Sequence, residues 1–322
     1  MRVTDATRPF LQKQRLNARP YSVSALQQYA VCPYRFFLSA AYRLAPLEEP
    51  EPLQRMDPLT KGSLFHQVQA EFFRALQKAK LQITTAQRTR VLEILDETLT
   101  RTSAEYYERL APAIDRVWQD EIASMRTDLR VWVDQLATNT EWEPWLFEFA
   151  FGLPGQPGHD PSSRRDPVTI NGRFVLRGSV DLVERKPGTK ILRVTDHKTG
   201  KNRSPKGAII GGGTQLQPVI YSLAIEEATG HTVESGRFSY CTTAGGFTDH
   251  SVPINERTRR MGIEVVEIVD RAVELGRLPP APAEKACGMC DFLPVCGPDQ
   301  ERRAGRKSSN QIGDLLELRK RP

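Results

Sequence analysis

The chain has 322 residues, 39% of them hydrophobic and 26% charged, enough to bury a real core in one elaborated domain or two. That balance excludes a disordered or collagen-like chain, and no run of apolar residues is long enough for a membrane-spanning helix. Lys and Arg number 45 against 39 Asp and Glu, a net +6, and residues 1–19 and 301–322 contribute +4 each, so residues 20–300 net −2.

Residues 1–20 form a basic N-terminal segment with no apolar stretch of the secretory kind, and the chain reads as cytoplasmic. Such charged ends are expected to be solvated tails. Residues 21–45 read as a helical segment capped by Ser22 or Ser24, broken at Cys32-Pro33 and then resumed. The Pro-rich stretch from Pro46 to Pro58 is a loop. Within a helical region spanning 46–141, Leu64, Val68, Phe72 and Leu76 recur on one face, and Pro112 separates two helices.

The pattern changes to a mixed core over 142–280. Trp145 to Gly152 reads as a strand, 154–167 as a Pro/Gly/Ser loop, and Arg173 to Lys186 as a long strand closed by Pro187-Gly188. Lys190 to Lys198 is its hairpin partner. Thr214 to Thr229 is an amphipathic helix ended by Gly230, Val233 to Thr243 a strand, and Glu256 to Leu275 a helix. A cysteine-rich segment follows at 281–300, and residues 301–322 form a basic C-terminal tail.

Chemistry concentrates on the hairpin. Asp181 lies mid-strand among apolar neighbours, and Leu192, Val194, Asp196 and Lys198 alternate onto one face of the partner strand. The hairpin is expected to bring Asp181 beside Asp196. Two carboxylates sharing a site repel unless a cation lies between them, and oxygen ligands favour Mg²⁺ or Mn²⁺. Such an ion polarises a phosphoryl oxygen and lowers the pKa of bound water, while Lys198 orients that water or stabilises developing charge. A second acid-x-Lys triplet, Glu184-Arg185-Lys186, falls on the opposite face at a strand end and is expected to be solvated surface. From Arg185 to Lys206 eight residues are basic and one, Asp196, is acidic. That stretch is expected to line a groove for phosphates.

Gly178-Ser-Val-Asp181 followed by Asp196-His-Lys198-Thr-Gly resembles the motif pair of PD-(D/E)XK nucleases, in the subgroup of RecB/AddB-type exonuclease domains. Gly62-Ser-Leu-Phe-His66 resembles that subgroup's early helix with a metal-binding histidine, and Gln217-Pro-Val-Ile-Tyr221 its Gln-x3-Tyr helix flanking the active site. The resemblance implies a mixed sheet flanked by helices. It implies His66, Asp181 and Asp196 as metal ligands, the backbone carbonyl of His197 as another, and Lys198 as the catalytic lysine. Gln217 and Tyr221 would position the strand, Tyr221 by stacking on a base.

Cys287-x2-Cys290-x5-Cys296 supplies three clustered thiols, and Cys32 completes a set of four. Spacing alone admits either zinc or [4Fe–4S]. The arrangement is similar to that of AddB-type domains and CRISPR-associated adaptation nucleases, which implies a [4Fe–4S] staple joining the two ends of the domain. Cys241 falls outside the set and reads as a small buried hydrophobe.

The function expected is a metal-dependent DNA nuclease, an exonuclease acting on single-stranded DNA or duplex ends in repair or recombination. No G-x4-G-K-[ST] phosphate loop is present, so any motor or helicase subunit comes from another chain. The alternatives are a cluster-dependent DNA-binding module that does not cut, a nuclease trimming DNA for CRISPR spacer acquisition, and a zinc-stapled nuclease.

Overall fold

The computed structural model describes residues 4–46, 53–139, 141–156 and 158–322; part of the Pro-rich stretch expected as a loop (47–52) lies outside them. A short helix α1 (Arg8–Lys13) precedes α2 (Val23–Val31), whose N-cap Ser22 accepts from the Ala25 amide. Cys32 is extended, and Pro33 then opens α3 (Pro33–Phe36) because its fixed φ suits a first helical position.

Three long helices follow: α4 (Pro58–Ala79), α5 (Arg88–Leu110) and α6 (Asp115–Thr138). Asp57 caps α4 through the amides of Leu59 and Thr60. The break between α5 and α6 is at Pro112 as expected. A further break after α4, at left-handed Lys80, carries no proline or glycine and is invisible to those signals.

The sheet runs β1 (Glu143–Phe151), β4 (Gly178–Arg185), β5 (Ile191–Lys198), β6 (Thr232–Tyr240), β7 (Asp249–Pro253) in spatial order. Every pairing is antiparallel except β5 with β6. That parallel pair requires a crossover, which α7 (Gln217–Thr229) provides. The expected long strand 173–186 is divided at Arg177: β3 (Phe174–Leu176) pairs instead with a separate short strand, β2 (Val168–Ile170).

Each sheet face carries a core. One contains Leu192 and Val194 of β5 with residues of α2, α7 and α8 (Glu256–Glu274); the other contains Phe147 of β1 and Leu182 of β4 with residues of α4, α5 and α6. Helix α7 is not amphipathic, since every residue from Pro218 to Ile225 is buried. It lies so close to β6 that a Cβ at Gly236 would stand 1.9 Å from the Pro218 carbonyl oxygen, and only glycine fits there.

The C-terminal segment contains α9 (Leu293–Cys296), α10 (Gln300–Ala304) and α11 (Ser309–Arg319). The basic ends are not free tails. Ile312, Leu315 and Leu318 of α11 are buried, and near the N-terminus Arg15 pairs with buried Asp270 at 2.5 Å. No described helix is long and apolar enough to cross a membrane.

Candidate active site

The site forms where the middles of β1 and β4 meet the C-terminal end of β5, beside the N-terminal half of α4. Leu182 and Thr195 are the last β4–β5 partners at that end, so Asp181 and Asp196 come next in register. The expected juxtaposition holds. On β1, Phe147 pairs with Leu182 and Phe149 with Val180, which sets Glu148 opposite Asp181. Glu148 has left-handed backbone (φ 51) within a strand, a conformation that costs about 1–3 kcal/mol and concentrates at functional sites.

His66 reaches the same point from α4. One turn earlier, Gly62 lies close enough to β5 that a Cβ there would stand 3.5 Å from the Thr199 hydroxyl. His66 Nδ1 is 3.6 Å from Asp181 Oδ2, and ligand atoms of His66, Glu148 and Asp181 all lie within 4.8 Å of one another. Among the described residues they are the one such group. Two carboxylates and an imidazole form a donor set suited to Mg²⁺ or Mn²⁺.

Asp196 is 5% exposed, and its Oδ2 lies 2.5 Å from Lys198 Nζ. Burial, and then the Asp181 charge, push its carboxyl up to about 6, with Lys198 opposing. Glu148 is pushed up to about 7 by burial and by Asp181, while the Ser179 hydroxyl donates to its Oε2 at 3.0 Å. Three carboxylates therefore crowd one lysine and one histidine.

The His197 amide donates to Asp181 Oδ2 at 2.7 Å, fixing that carboxylate's aim. The His197 ring is buried on the other face with its centroid 5.8 Å from that of Trp132, and burial lowers its pKa to about 4, so it is neutral. Tyr221 packs its ring beneath Gly178, where a Cβ would stand 3.1 Å from Tyr221 Cε1. Burial, followed by the charges of Asp196, Asp181 and Glu148, raises its pKa. At 8% exposure the ring offers no open face to a base, which leaves no room for the expected stacking role. Gln217 is partly exposed in the first turn of α7, and its side chain makes no hydrogen bond to the described residues.

Two expectations are overturned. Glu184 is 2% exposed rather than solvated, because α4, α5 and α6 cover the face it points to. It accepts two hydrogen bonds from Arg193 and one from Thr195, all at 2.7 Å, and pairs with Arg237 at 3.2 Å. Burial alone would raise its pKa, but Arg237, Arg193 and Thr195 hold it at about 2. The basic stretch 185–206 also fails to form one groove. The hairpin turn at Thr189 is seven residues from Asp196, roughly 23 Å at strand rise. Arg193 is spent on Glu184, and Lys186 pairs with Glu141 and Glu234. Only Lys198, Lys201, Arg203 and Lys206 belong to the site's end of the strand.

Away from these carboxylates, Cys32, Cys287, Cys290 and Cys296 line one cleft, all as free thiols. Burial raises the pKa of Cys296, and the charges of Cys32 and Cys290 add to it. Cys241 is buried in the core under α4–α6 just beyond β6, as expected.

A family model described as the PD-(D/E)XK nuclease superfamily matches residues 20–297. The chain belongs to the PD-(D/E)XK nuclease superfamily. Among curated relatives, this superfamily member is 29% identical over 153 residues to a CRISPR-associated exonuclease Cas4/endonuclease Cas1 fusion of Leptospira interrogans, covering 46% of this chain and 27% of the relative. It is 24% identical over 220 residues to an ATP-dependent helicase/deoxyribonuclease subunit of Carboxydothermus hydrogenoformans, covering 67% and 19%. The corresponding subunit of Moorella thermoacetica is 23% identical over 289 residues, covering 78% and 23%. The chain thus spans about a quarter or less of the length of these relatives. A crystal structure from Eubacterium rectale described as an exonuclease aligns over 88% of this chain and 91% of its own, with a TM-score of 0.45 and 11% identity.

The residue missed by sequence reasoning is Glu148. Its signal is a lone acid in the aromatic run Trp145-Leu-Phe-Glu148-Phe-Ala-Phe.

Proposed function

We propose that the chain is a divalent-metal-dependent deoxyribonuclease, acting as an exonuclease on DNA ends beside a helicase or motor subunit supplied by another chain. The observation that carries the reading is the convergence of His66, Glu148 and Asp181 beside the Asp196–Lys198 pair. His66, Glu148, Asp181 and Asp196, with the His197 carbonyl, would hold the ion. When bound, Mg²⁺ or Mn²⁺ supplies Lewis acidity toward a phosphoryl oxygen and lowers the pKa of water.

The chain's own residues do the rest. The His197 amide and Ser179 hydroxyl keep Asp181 and Glu148 oriented. Asp196 holds the Lys198 ammonium, itself one-third exposed, at the mouth of the site, where it stabilises negative charge building on the phosphate. Tyr221 carries its hydroxyl toward the same carboxylates, and Gln217, one turn away on α7, faces the strand.

The four thiols that line the cysteine cleft would hold a [4Fe–4S] cluster, one thiolate to each iron.

Relatives named as helicase subunits match 67% and 78% of the chain, against 46% for the CRISPR-associated fusion, which favours the helicase-linked setting over spacer trimming. The test is digestion of end-labelled single- and double-stranded DNA with Mg²⁺ or Mn²⁺. Asp196→Ala and Lys198→Ala are expected to lose at least a hundredfold in kcat while the protein keeps its brown colour, iron and sulfide. Cleavage by either variant at the unmodified rate sinks the assignment, and a colourless, zinc-containing preparation sinks the cluster.

A further inference from the structure

With Lys186, Arg193 and Lys198 of the 185–206 stretch spent in ion pairs, the strand near the carboxylate cluster needs positive charge from elsewhere. The structure has it in a cleft on the opposite side of Gly178. Tyr21 bridges in parallel to Leu176: its amide donates to the Val175 carbonyl at 3.3 Å, and the Arg177 amide donates to the Tyr21 carbonyl at 3.0 Å. That joint brings Arg19 and the start of α2 against Arg177, and Arg43 completes the wall.

The cleft holds about 290 Å³, some ten times the share of one water in the liquid. Three guanidiniums and the hydroxyls of Ser22, Ser24 and Ser39 line it, and among the described residues no carboxylate does. Among the described residues, none of the three arginines forms an ion pair. The contrast is with Arg15, Arg193 and Arg237, each held by a buried acid. Arg19 is fixed: its Nη2 donates to the Ala40 carbonyl at 3.0 Å, and its guanidinium stacks 4.5 Å above the Tyr21 ring. Its Nε is buried without a partner. Burial, and the charges of Arg43 and Arg177, lower its pKa, the signature of cations gathered without a counter-charge. Arg43 has left-handed backbone (φ 60), a strained placement for an exposed arginine.

We propose that Arg19, Arg43 and Arg177 bind a backbone phosphate of the nucleic-acid strand engaged at the carboxylate cluster, a second anchor that nothing in the catalytic constellation supplies. This rests on the deoxyribonuclease reading. Arg177 precedes Asp181 by four residues, about 13 Å at strand rise, which is the rise of about four nucleotides in duplex. The guanidinium fork matches phosphate oxygens, and the contact is blind to sequence.

The experiment uses the whole protein and Arg43→Ala/Arg177→Ala, since neither side chain makes a hydrogen bond or ion pair to the described residues and Arg19 stays in place. The double variant is expected to melt within a few degrees of the unmodified protein. Its KM for a 20-nucleotide strand should rise about tenfold with kcat unchanged, and the slope of log affinity against log salt should fall by about 0.7 per lost contact. Arg43→Lys/Arg177→Lys should recover most of the KM. Unchanged KM and salt slope overturn the proposal, as does an effect confined to 5′-phosphorylated strands, which would assign a terminal-phosphate pocket instead. Inorganic phosphate separates this from failure of the nuclease reading. If the protein cuts no DNA but phosphate protects the unmodified protein from thermal unfolding and not the double variant, the anion site stands and the nuclease falls. Equal protection of both overturns the anion site.

Discussion

Glu148 and Glu184 are both acids on sheet strands, and their neighbours give them opposite behaviour. In ion-free protein Glu148 stays protonated to about pH 7, whereas the unfolded chain releases that proton near the usual 4.5. The folded state therefore binds more protons across that window, and stability falls as pH rises through it. Asp196 adds the same sign between 3.8 and about 6, while His197, lowered from 6.5 to about 4, opposes it below 6.5. Between pH 6.5 and 8 the Glu148 contribution is the largest of the three. The melting temperature of ion-free protein should drop as pH climbs across that range, the slope should flatten in Glu148→Gln, and Mg²⁺ should reverse it. Glu184 is the converse: held at about 2, it contributes stability above the usual 4.5 that is lost as pH falls toward 2. Glu184→Ala leaves Arg193 buried without an acid and Arg237 with Asp249 alone, and should cost about 3–5 kcal/mol in denaturant unfolding. Both acids were hard to read from sequence for one reason. Alternation tells which face a residue takes, and only the packed structure tells whether that face meets a strand's carboxylate or the helical layer α4–α6.

At the scale of elements, the hairpin was legible because its signals are local. Pro187-Gly188 makes the turn, period-two apolar residues flank it, and the register of Asp181 and Asp196 follows from turn length alone. Strands β2 and β7 were missed because they are three and five residues long, too short to establish a period. Helix α11 was missed because the surrounding segment 301–322 is net basic and was read as a tail, while Ile312, Leu315 and Leu318 carry the contact. Arg319 at its end donates to the carbonyls of Ala30 at 2.8 Å, Val31 at 3.0 Å and Ala281 at 2.7 Å. Those are the last carbonyls of α2 before Cys32 and one from the approach to Cys287. Arg319→Ala should therefore destabilise by about 2 kcal/mol and speed amide exchange at the end of α2, measured by mass spectrometry.

Over the whole molecule, the sheet is packed on both faces by helices, and its cores account for the centre without help from the four cleft cysteines. The cleft of four thiols instead brings together residues more than 250 positions apart, so its closure by the proposed cluster would remove conformational freedom from the unfolded chain. Cys290→Ala should lose iron, melt at lower temperature and be nicked by protease first between residues 281 and 300. A variant with unchanged melting and digestion would refute the staple.

The order of synthesis gives that separation a further meaning. Cys32 emerges from the ribosome 255 residues before Cys287, a wait of roughly 13–50 s at about 5–20 residues per second. The strands carrying Asp181 and Asp196 are complete well inside that interval. On the proposed cluster reading, iron delivery would be the final step of maturation, and cells starved of iron should accumulate newly made chains whose carboxylate site is assembled and whose four thiols are still unligated.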